Sequence, residues 1–328
     1  MMWLKTITAS FLLIMCVGSA VSVAAESTAA SGVPAPATVS MEVRQLSEHV
    51  YYVEGLPGVA TDNQGFISNA GFVVTGAGVV VIDALGTPAL GRLLLEKIRG
   101  VTEQPVVRVI ATHYHADHIY GLQVFEALDA EILAPAGADE YLASDNARER
   151  LEERRFTLDP WVDEATRLVV PDRYLGEGMR FRLGDVEFVV TVVGAAHSQG
   201  DLTVYVAPDR VLFSGDVIFE GRVPFLGDAH TRHWLRLLER MDKEKLVALV
   251  PGHGAVAADP DAAIGLTRRY LAYLRETMGV AVDNMVPFSE AYAATDWSQF
   301  EDLPAFAAAN RRNAYQVYLS LEAELLAE

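Results

Sequence analysis

The most informative segment of this chain reads Thr112-His113-Tyr114-His115-Ala116-Asp117-His118. It follows the apolar run 106–111, whose β-branched residues are typical of a buried strand. In an extended backbone His113 and His115 point to the same side, and the chain then turns into a helix that carries Asp117 and His118. Imidazole and carboxylate groups at this density indicate a zinc or iron site. The alternative, a polar surface loop, does not explain why so many ligand-type side chains stand together.

Three further ligand-type residues follow strand-like runs later in the chain. His197 comes after the run 188–193, Asp216 after 211–213 and His253 after 246–250. Each has glycine nearby, which allows the backbone to bend sharply beside a site. Singly, each would be an ordinary loop residue. Together and in this order they predict metal ligands at the ends of strands.

The same runs predict the fold class. Short apolar or alternating runs dominate both halves of the chain, and amphipathic helices lie between them. Thr87 and Pro88 indicate a helix start, with Gly100 at its end, and further helices are predicted at about 139–154 and 231–241. Two sheet-rich halves with helices outside predict an α/β fold, a four-layer αβ/βα sandwich with its site at the strand ends.

A change of character follows residue 258. Asp259 and Pro260 give another helix-start signal, and an apolar stripe of helical spacing comes after it: Ile264, Leu271, Leu274 and Met278. A further helix is expected over 310–326. We therefore predict a main domain over 41–258 and a helical C-terminal extension over 259–328.

The first forty residues carry a targeting signal. Lys5 precedes an uncharged, largely apolar run over 7–23, and small residues lead up to Ala25. This layout predicts a signal peptide over 1–25 and a periplasmic protein without a stable membrane anchor, the alternative being an uncleaved anchor. Residues 26–40, rich in Ala, Ser and Pro, predict a flexible linker. Cys16 is the only cysteine, so the mature protein is expected to have neither a disulfide nor a thiolate ligand.

The net charge restricts the class of partner. The chain has 26 basic and 44 acidic residues, a formal charge of −18. Such a chain repels phosphate backbones, which argues against a nucleic-acid substrate. A small-molecule substrate is expected, and the sequence does not indicate the oligomeric state.

The order H-x-H-x-D-H, then a histidine in a glycine-bounded loop, then G-D and G-H-G, resembles the metallo-β-lactamase superfamily over residues 43–254. The resemblance implies a shared centre for two metals: His113, His115 and His197 at the first, Asp117, His118 and His253 at the second, and Asp216 bridging them. It also implies that Asp83, which ends the run 79–82, orients a ligand histidine. A ligating imidazole does need its other nitrogen fixed by an acceptor.

The resemblance implies hydrolytic chemistry. Two zinc ions, with iron or manganese as alternatives, lower the pKa of bound water towards ~7, and the bridging hydroxide attacks an acyl carbon. Asp117 is the expected catalytic residue, because it can accept a hydrogen bond from the nucleophile and fix its direction. A purely structural metal is the alternative, but structural sites are usually closed sets of four ligands.

Asp216 indicates the branch of the superfamily. True β-lactamases resemble this pattern but carry cysteine or serine there, whereas glyoxalase II-like hydrolases carry the bridging aspartate. The amino-acid sequences of segments 55–70 and 215–225 are similar to those of exported metallo-hydrolases encoded beside bacterial sulfur-oxidation and quinoprotein systems. We therefore expect an exported hydrolase of a thioester or other ester. A basic glutathione-binding pattern is not evident, since Arg268, Arg269, Arg311 and Arg312 have the spacing of solvated helix faces.

Three alternatives remain at this stage. One is a mononuclear iron oxidoreductase similar to persulfide dioxygenases, the second is a β-lactamase, and the third is a metal-binding protein without catalysis. His230 and His233 could form a spare metal site, although a plain surface helix is favoured. The segment 55–70, rich in glycine and polar residues, is expected to act as a mobile lid over the site.

Overall fold

Two β-sheets packed face to face form the centre of the protein. The structure, a computed structural model, describes residues 35–241 and 246–327. The predicted signal peptide and residues 26–34 of the predicted linker lie outside the described residues. Residues 35–40 have irregular backbone, and the Thr38 N–H donates to Oε1 of Gln64 at 2.8 Å.

The first sheet has its strands in chain order. They are β1 (Val43–Gln45), β2 (Val50–Val53), β3 (Ala70–Thr75), β4 (Gly78–Ile82), β5 (Val106–Ile110), β6 (Glu131–Pro135) and β7 (Arg173–Leu175). Pairing is antiparallel from β1 to β4 and parallel from β4 to β7. The parallel strands place their carboxyl ends at one edge, where the segment after β5 begins.

The second sheet runs in the order β12-β11-β10-β9-β8. Its strands are β8 (Met179–Leu183), β9 (Val186–Gly194), β10 (Asp201–Val206), β11 (Val211–Gly215) and β12 (Ala248–Pro251). Strands β11 and β12 are parallel, so the residues that follow them emerge at the same edge.

Helices cover the outer faces of both sheets. They are α1 (Pro88–Val101), α2 (Ala116–Ile119), α3 (Leu122–Glu126), α4 (Gly137–Ala143), α5 (Asp145–Thr157), α6 (Thr231–Arg240), α7 (Pro260–Asp283), α8 (Phe288–Ala294) and α9 (Phe306–Leu326). The predicted starts of α1 and α7 are confirmed. The side chains of Thr87 and Asp259 accept hydrogen bonds from backbone N–H groups in the first turns, which would otherwise lack partners.

Two helix predictions were inaccurate. The helix expected over 139–154 is two helices, because Ser144 adopts an extended backbone and its hydroxyl caps α5 by accepting from the Ala147 N–H at 3.1 Å. Serine competes with helical backbone bonds in this way, so it favours a helix start over a helix interior. Helix α1 also runs one residue past Gly100, to Val101.

The packing confirms four layers and a helical C-terminal region. Val73, Val80 and Ile110 of the first sheet are buried against the second sheet, together with Phe188 and Val204. Separate apolar clusters lie under the helices on each outer face. Each fully buried aliphatic side chain contributes roughly 1.5–3 kcal/mol relative to exposure, so the sandwich gives the strand ends a rigid base.

The predicted apolar stripe of α7 packs beneath the second sheet. Ile264, Leu271, Leu274 and Met278 are all buried, in one cluster with Trp234 of α6. The C-terminal helices therefore share a core with the strands that lead to the site. Among the described residues, no helix combines the length and apolarity needed to cross a bilayer.

Candidate metal centre

The predicted ligands lie at the carboxyl ends of strands from both sheets. His113 and His115 follow β5, and α2 then presents Asp117 and His118 from its first turn. The other three come from the second sheet: His197 after β9, Asp216 after β11 and His253 after β12. Parallel pairing of β4 with β5 and of β11 with β12 is the reason that residues so distant in sequence meet at one edge.

The structure brings all seven predicted ligands together. Their ligand atoms form three groups within which all atoms lie within 4.8 Å of one another. These groups are His113, His115 and His197; His113, His118 and Asp216; and Asp117, His118 and His253. Two of the groups are the triads expected from the sequence, and the third joins them.

Asp216 stands between the two triads. Its Oδ1 lies 3.3 Å from Nε2 of His118, and its Oδ2 lies 3.3 Å from Nε2 of His197 and 3.3 Å from Nε2 of His253. The side chain is only 5% exposed. A buried carboxylate whose two oxygens face different sets of histidines has the placement that a bridging ligand requires.

Unsatisfied polar atoms indicate that the cluster fits a cation. Within the described residues, Nε2 of His113, Nε2 of His118 and Oδ1 of Asp216 are buried and have no hydrogen-bond partner. A buried polar atom without a partner costs roughly 1–3 kcal/mol. Nitrogen and oxygen donors left open in one place match the preference of zinc for imidazole and carboxylate ligands, so the residues present fit a metal.

Asp83 determines which ring nitrogen carries the proton in His118 and, through Thr112, in His113. Its Oδ1 accepts from the Thr112 N–H at 2.7 Å, and its Oδ2 lies 2.9 Å from Nδ1 of His118. The Thr112 hydroxyl donates to the same Oδ2 at 2.8 Å and can therefore accept from Nδ1 of His113, which is 3.1 Å away. Both rings then carry the proton on Nδ1 and leave Nε2 open. The structure thus places Asp83 where it was expected, and its role in metal binding stays a prediction.

The electrostatics differ between the two halves of the cluster. Burial lowers the pKa of His197 to about 3 and holds the pKa of His113 well below its ordinary value. Burial also opposes protonation of His253, but the charges of Asp216 and Asp117 outweigh it and raise the pKa of that ring to about 9. His113 and His197 are therefore neutral, as metal binding requires, whereas His253 must release a proton when a metal binds.

Asp216 and Asp117 are ionised in this setting. Burial by itself would raise the pKa of Asp216, but His253 and His118 beside it outweigh burial and hold that pKa well below its ordinary value. The pKa of Asp117 is lowered too, because His118 and His253 outweigh the effect of its burial. The Asp117 side chain is 22% exposed, so it is the acid that a substrate or water can reach.

Asn69 supports the His253 loop and was missed by the sequence analysis. Its Nδ2 donates to the carbonyl oxygens of Pro251 and Gly254, both at 2.8 Å, and its own N–H donates to Gly252 O at 2.7 Å. The neighbouring Ile67 O accepts from Nδ1 of His253 at 2.7 Å. Residues 67–69 thus fix the ring of a predicted ligand. An asparagine at the start of an ordinary strand gave no signal for this role.

Ser68 and Gly252 complete this support. The Ser68 hydroxyl donates to the carbonyl oxygen of Asp117, which ties the segment to the other predicted ligand loop. Gly252 is required by close approach, because a Cβ atom there would come within 1.8 Å of Oδ1 of Asp216. The glycine signal read from the sequence is therefore correct at this position.

Asp201 organises the His197 loop, and it too was assigned no role from the sequence. Its Oδ2 accepts from the N–H groups of Ala196 and Ser198 at 3.0 and 2.9 Å, and its Oδ1 accepts from the Ser198 hydroxyl at 2.9 Å. Burial raises the pKa of Asp201 to about 6, since these hydrogen bonds offset desolvation only in part.

The remaining candidates lie apart from the centre. His230 contacts Oε1 of Gln199 at 3.2 Å and His233 contacts Val193 O at 3.0 Å, and no group of metal-ligating side chains found in the described residues includes either. The four arginines considered for glutathione binding are exposed: Arg268, Arg269, Arg311 and Arg312. The guanidinium of Arg311 lies over the rings of two aromatic residues of α8.

Comparison with known sequences identifies relatives with different activities. The chain is 28% identical over 193 residues to a type 2 metallo-beta-lactamase of Elizabethkingia meningoseptica, a match covering 57% of this chain and 69% of that protein. It is 32% identical over 173 residues to the acyl-coenzyme A thioesterase MBLAC2 of Gallus gallus, covering 49% of this chain and 60% of that protein. These relatives do not decide the substrate.

Comparison with solved structures confirms the fold. A metallo-beta-lactamase from Pontibacter korlensis superposes with a TM-score of 0.56 at 20% identity, covering 71% of this chain and 99% of that one. The sec-alkylsulfatase Pisa1 from Pseudomonas sp. gives 0.66 at 18% identity, covering 85% and 50%. The family model described as the metallo-beta-lactamase superfamily matches residues 63–253, and this chain therefore belongs to that superfamily.

Proposed function

We propose that the protein is an exported, zinc-dependent hydrolase with a dinuclear centre that cleaves a thioester or another acyl ester. The observation that carries the proposal is the position of Asp216, whose two oxygens face histidines of both triads at 3.3 Å. An open pair of metal sites that shares a carboxylate is typical of catalysis. The aspartate at this position also supports the glyoxalase II-like branch.

Different side chains have different roles in such a reaction. Two zinc ions held by these residues would supply Lewis acidity, which makes water a nucleophile near neutral pH and polarises an acyl carbonyl group. Asp117, the more exposed acid, can accept a hydrogen bond from the attacking water at its carboxylate and so fix the direction of attack. Asp83 and Ile67 O keep His118 and His253 in the required tautomer.

Apolar residues beside the cluster can exclude bulk water. The Phe219 ring is parallel to that of His253, with centroids 5.8 Å apart, and Trp234 meets His197 edge-on at 5.7 Å. Both aromatic side chains are fully buried. A dry wall on this side strengthens the interactions of the charged groups, because the local dielectric is low.

A hydrolysis panel on zinc-loaded protein tests this function. It should contain thioesters, lactones, β-lactams, and sulfate and phosphate esters, with Asp216→Ala as the inactive control and metal content measured on the same samples. We expect two zincs per chain and the highest kcat/KM for a thioester or ester. A preference for β-lactams would make the protein a β-lactamase, the activity for which its Elizabethkingia meningoseptica relative is named. One iron per chain with oxygen consumption would make it an oxidoreductase.

Export is the second part of the proposal. Its support is the charged, then apolar, then small-residue order of residues 1–25. N-terminal sequencing of protein from the native host should give Glu26 as the first residue, in the periplasmic fraction. An intact Met1 in the cytosolic fraction would contradict export without affecting the hydrolase assignment.

A further inference from the structure

His197 differs from the other buried predicted ligands in how its ring is held. Nδ1 of His118 lies 2.9 Å from Oδ2 of Asp83, and Nδ1 of His253 lies 2.7 Å from Ile67 O. The Nδ1 atom of His197 is buried as well, but no residue in the described part of the chain forms a hydrogen bond with it. A ligating imidazole almost always has its second nitrogen fixed by an acceptor, which sets the orientation of the ring. Another feature of the fold must therefore keep the His197 ring in place.

Two aromatic rings of the protein core pack on His197. The Trp234 ring meets it edge-on, with centroids 5.7 Å apart and an interplanar angle of 75°, and the Phe219 ring is tilted by 59° at 5.9 Å. Both aromatic side chains are fully buried and belong to the apolar cluster that the C-terminal helices share. Ring contacts at these separations are favourable. The two rings therefore limit the rotation of the His197 ring by packing instead of by a hydrogen bond.

Hydrogen bonds hold both of these aromatic residues. The Trp234 Nε1–H donates to the carbonyl oxygen of Val217, the residue after Asp216, at 2.9 Å. The Phe219 N–H donates to the hydroxyl of Thr267 at 3.1 Å. Thr267 is a buried residue of α7, the first helix of the C-terminal extension. The extension therefore contacts the metal centre through Thr267 and the ring of Phe219.

Phe219 also contacts His253, a predicted ligand of the other triad. The two rings are parallel, with centroids 5.8 Å apart. Because Ile67 O already fixes Nδ1 of His253, the orientation of this ligand does not depend on Phe219 alone. His197 has no such second support, so its orientation depends on the aromatic rings.

We propose that Phe219 and Trp234 are positioning residues of the metal centre: they take the place of the hydrogen-bond acceptor that His197 lacks, and Thr267 holds Phe219 in this position. The inference rests on the proposed dinuclear centre and identifies the side chains that keep one of its ligands oriented. It also gives the C-terminal helices a part in metal binding. These helices begin only at Pro260, after the last predicted ligand in the chain.

Titration of Phe219→Leu with zinc against a chelating dye tests the proposal. The variant keeps a buried apolar side chain but loses the flat ring, so the site that contains His197 should bind zinc about 10-fold more weakly than in the wild type. Phe300→Leu is the matched control, because Phe300 is a buried phenylalanine of the same cluster whose ring contacts those of Tyr270 and Tyr273. It should bind zinc as the wild type does. Wild-type affinity in Phe219→Leu, or equal weakening in both variants, would overturn the proposal.

A double-mutant cycle shows whether the effect passes through His197. In a His253→Ala background, where the His197 triad remains, Phe219→Leu should still weaken zinc binding about 10-fold. In a His197→Ala background the same substitution should cause no further weakening, because the ligand that it positions is absent. Equal weakening in the two backgrounds would show that Phe219 acts without His197, and this result would refute the positioning role.

Threonine variants test the support from the C-terminal helices. Thr267→Val removes the hydroxyl at nearly unchanged shape and should weaken the same zinc site, whereas Thr267→Ser keeps the hydroxyl and should bind zinc as the wild type does. Thr277→Val removes a hydroxyl of the same helix that bonds to Tyr273 O and Leu274 O, so it should leave zinc binding unaltered. Wild-type zinc binding by Thr267→Val would refute the role of Thr267.

Zinc affinity is measured without turnover, so these outcomes are independent of the substrate. A wild type that binds two zincs but hydrolyses no compound of the panel would refute the proposed reaction, and the comparison of affinities would still decide the positioning role. A wild type that binds no zinc would refute both the dinuclear centre and this inference.

Discussion

Replacing Asp83 by asparagine changes one oxygen of a buried carboxylate into an NH2 group and leaves the shape of the side chain unaltered. The Thr112 N–H, 2.7 Å from Oδ1, can be satisfied only by an oxygen, so the new NH2 group must face Nδ1 of His118, where Oδ2 was 2.9 Å away. Two donors cannot share a hydrogen bond. The His118 ring must then move its proton from Nδ1 to Nε2, the nitrogen that lies 3.3 Å from Asp216.

A protonated Nε2 has no lone pair for a metal, so Asp83→Asn should weaken zinc binding while the fold is kept. Loss of an outer partner of a ligand costs about 10- to 100-fold in metal affinity, which is about 1.4–2.7 kcal/mol. The site that contains His118 should be affected most. The His113, His115 and His197 triad should be affected less, because the Thr112 hydroxyl can still accept a hydrogen bond from Nδ1 of His113. Titration with zinc against a chelating dye should show one of two sites weakened by this factor.

Asp209→Asn is the matched control for this experiment. Asp209 is a buried aspartate that accepts from the N–H of His49 at 3.2 Å and lies 3.0 Å from Nδ1 of the same residue. It stands in the β10–β11 turn, at the end of β11 opposite to the metal centre. Its asparagine variant makes the same chemical change and should leave both zinc affinities unaltered. Wild-type zinc binding by Asp83→Asn, or equal weakening in both variants, would refute the tautomer argument.

Three other substitutions probe the centre. Asp216→Ala removes a shared carboxylate, so both metals should bind more weakly and kcat should fall by more than about 100-fold; near-normal turnover with two bound zincs would contradict the bridging role. Asn69→Ala leaves the Pro251 and Gly254 carbonyls without their side-chain donor, and thermal unfolding of the metal-free protein should show a loss of about 1–3 kcal/mol. Asp201 has a pKa raised to about 6 by burial, so its contribution to stability is full below about pH 4 and is lost as the pH rises through about 6. Between pH 4 and 7 the free energy of unfolding of the wild type should therefore fall by roughly 3 kcal/mol more than that of Asp201→Asn, whose side chain is always neutral. Denaturant unfolding without metal measures this difference.

The strands and the predicted ligands could be read from the sequence because both depend on local signals. A run of β-branched residues predicts a buried strand, and the strand then fixes the position of a ligand that directly follows it. His113 and His253 needed only the further rule that parallel strands end at one edge. Asp83 could be assigned because it also ends a strand and the chemistry of a ligating imidazole demands an acceptor.

Asn69 and Asp201 could not be assigned from the sequence, because their roles depend on residues that only the fold places beside them. Asn69 lies 182 residues from Pro251, whose carbonyl it binds, and nothing near either residue in sequence predicts the contact. Asp201 accepts hydrogen bonds from Ala196 and Ser198, but an aspartate at the start of a strand does not indicate by itself that it organises the preceding loop.

The segment 55–70, which we predict to act as a mobile lid, consists of an exposed tip and a buried base. Its glycines and polar residues predicted a mobile lid, and the tip at Pro57, Gly58 and Val59 is indeed exposed. Its base is buried, and Ile67 O and Asn69 hold the His253 loop. Mobility there would release a predicted ligand, because local opening breaks the hydrogen bonds that fix the ring. The lid therefore stays a prediction that applies to the tip, whereas the base belongs to the support on which the predicted metal centre depends.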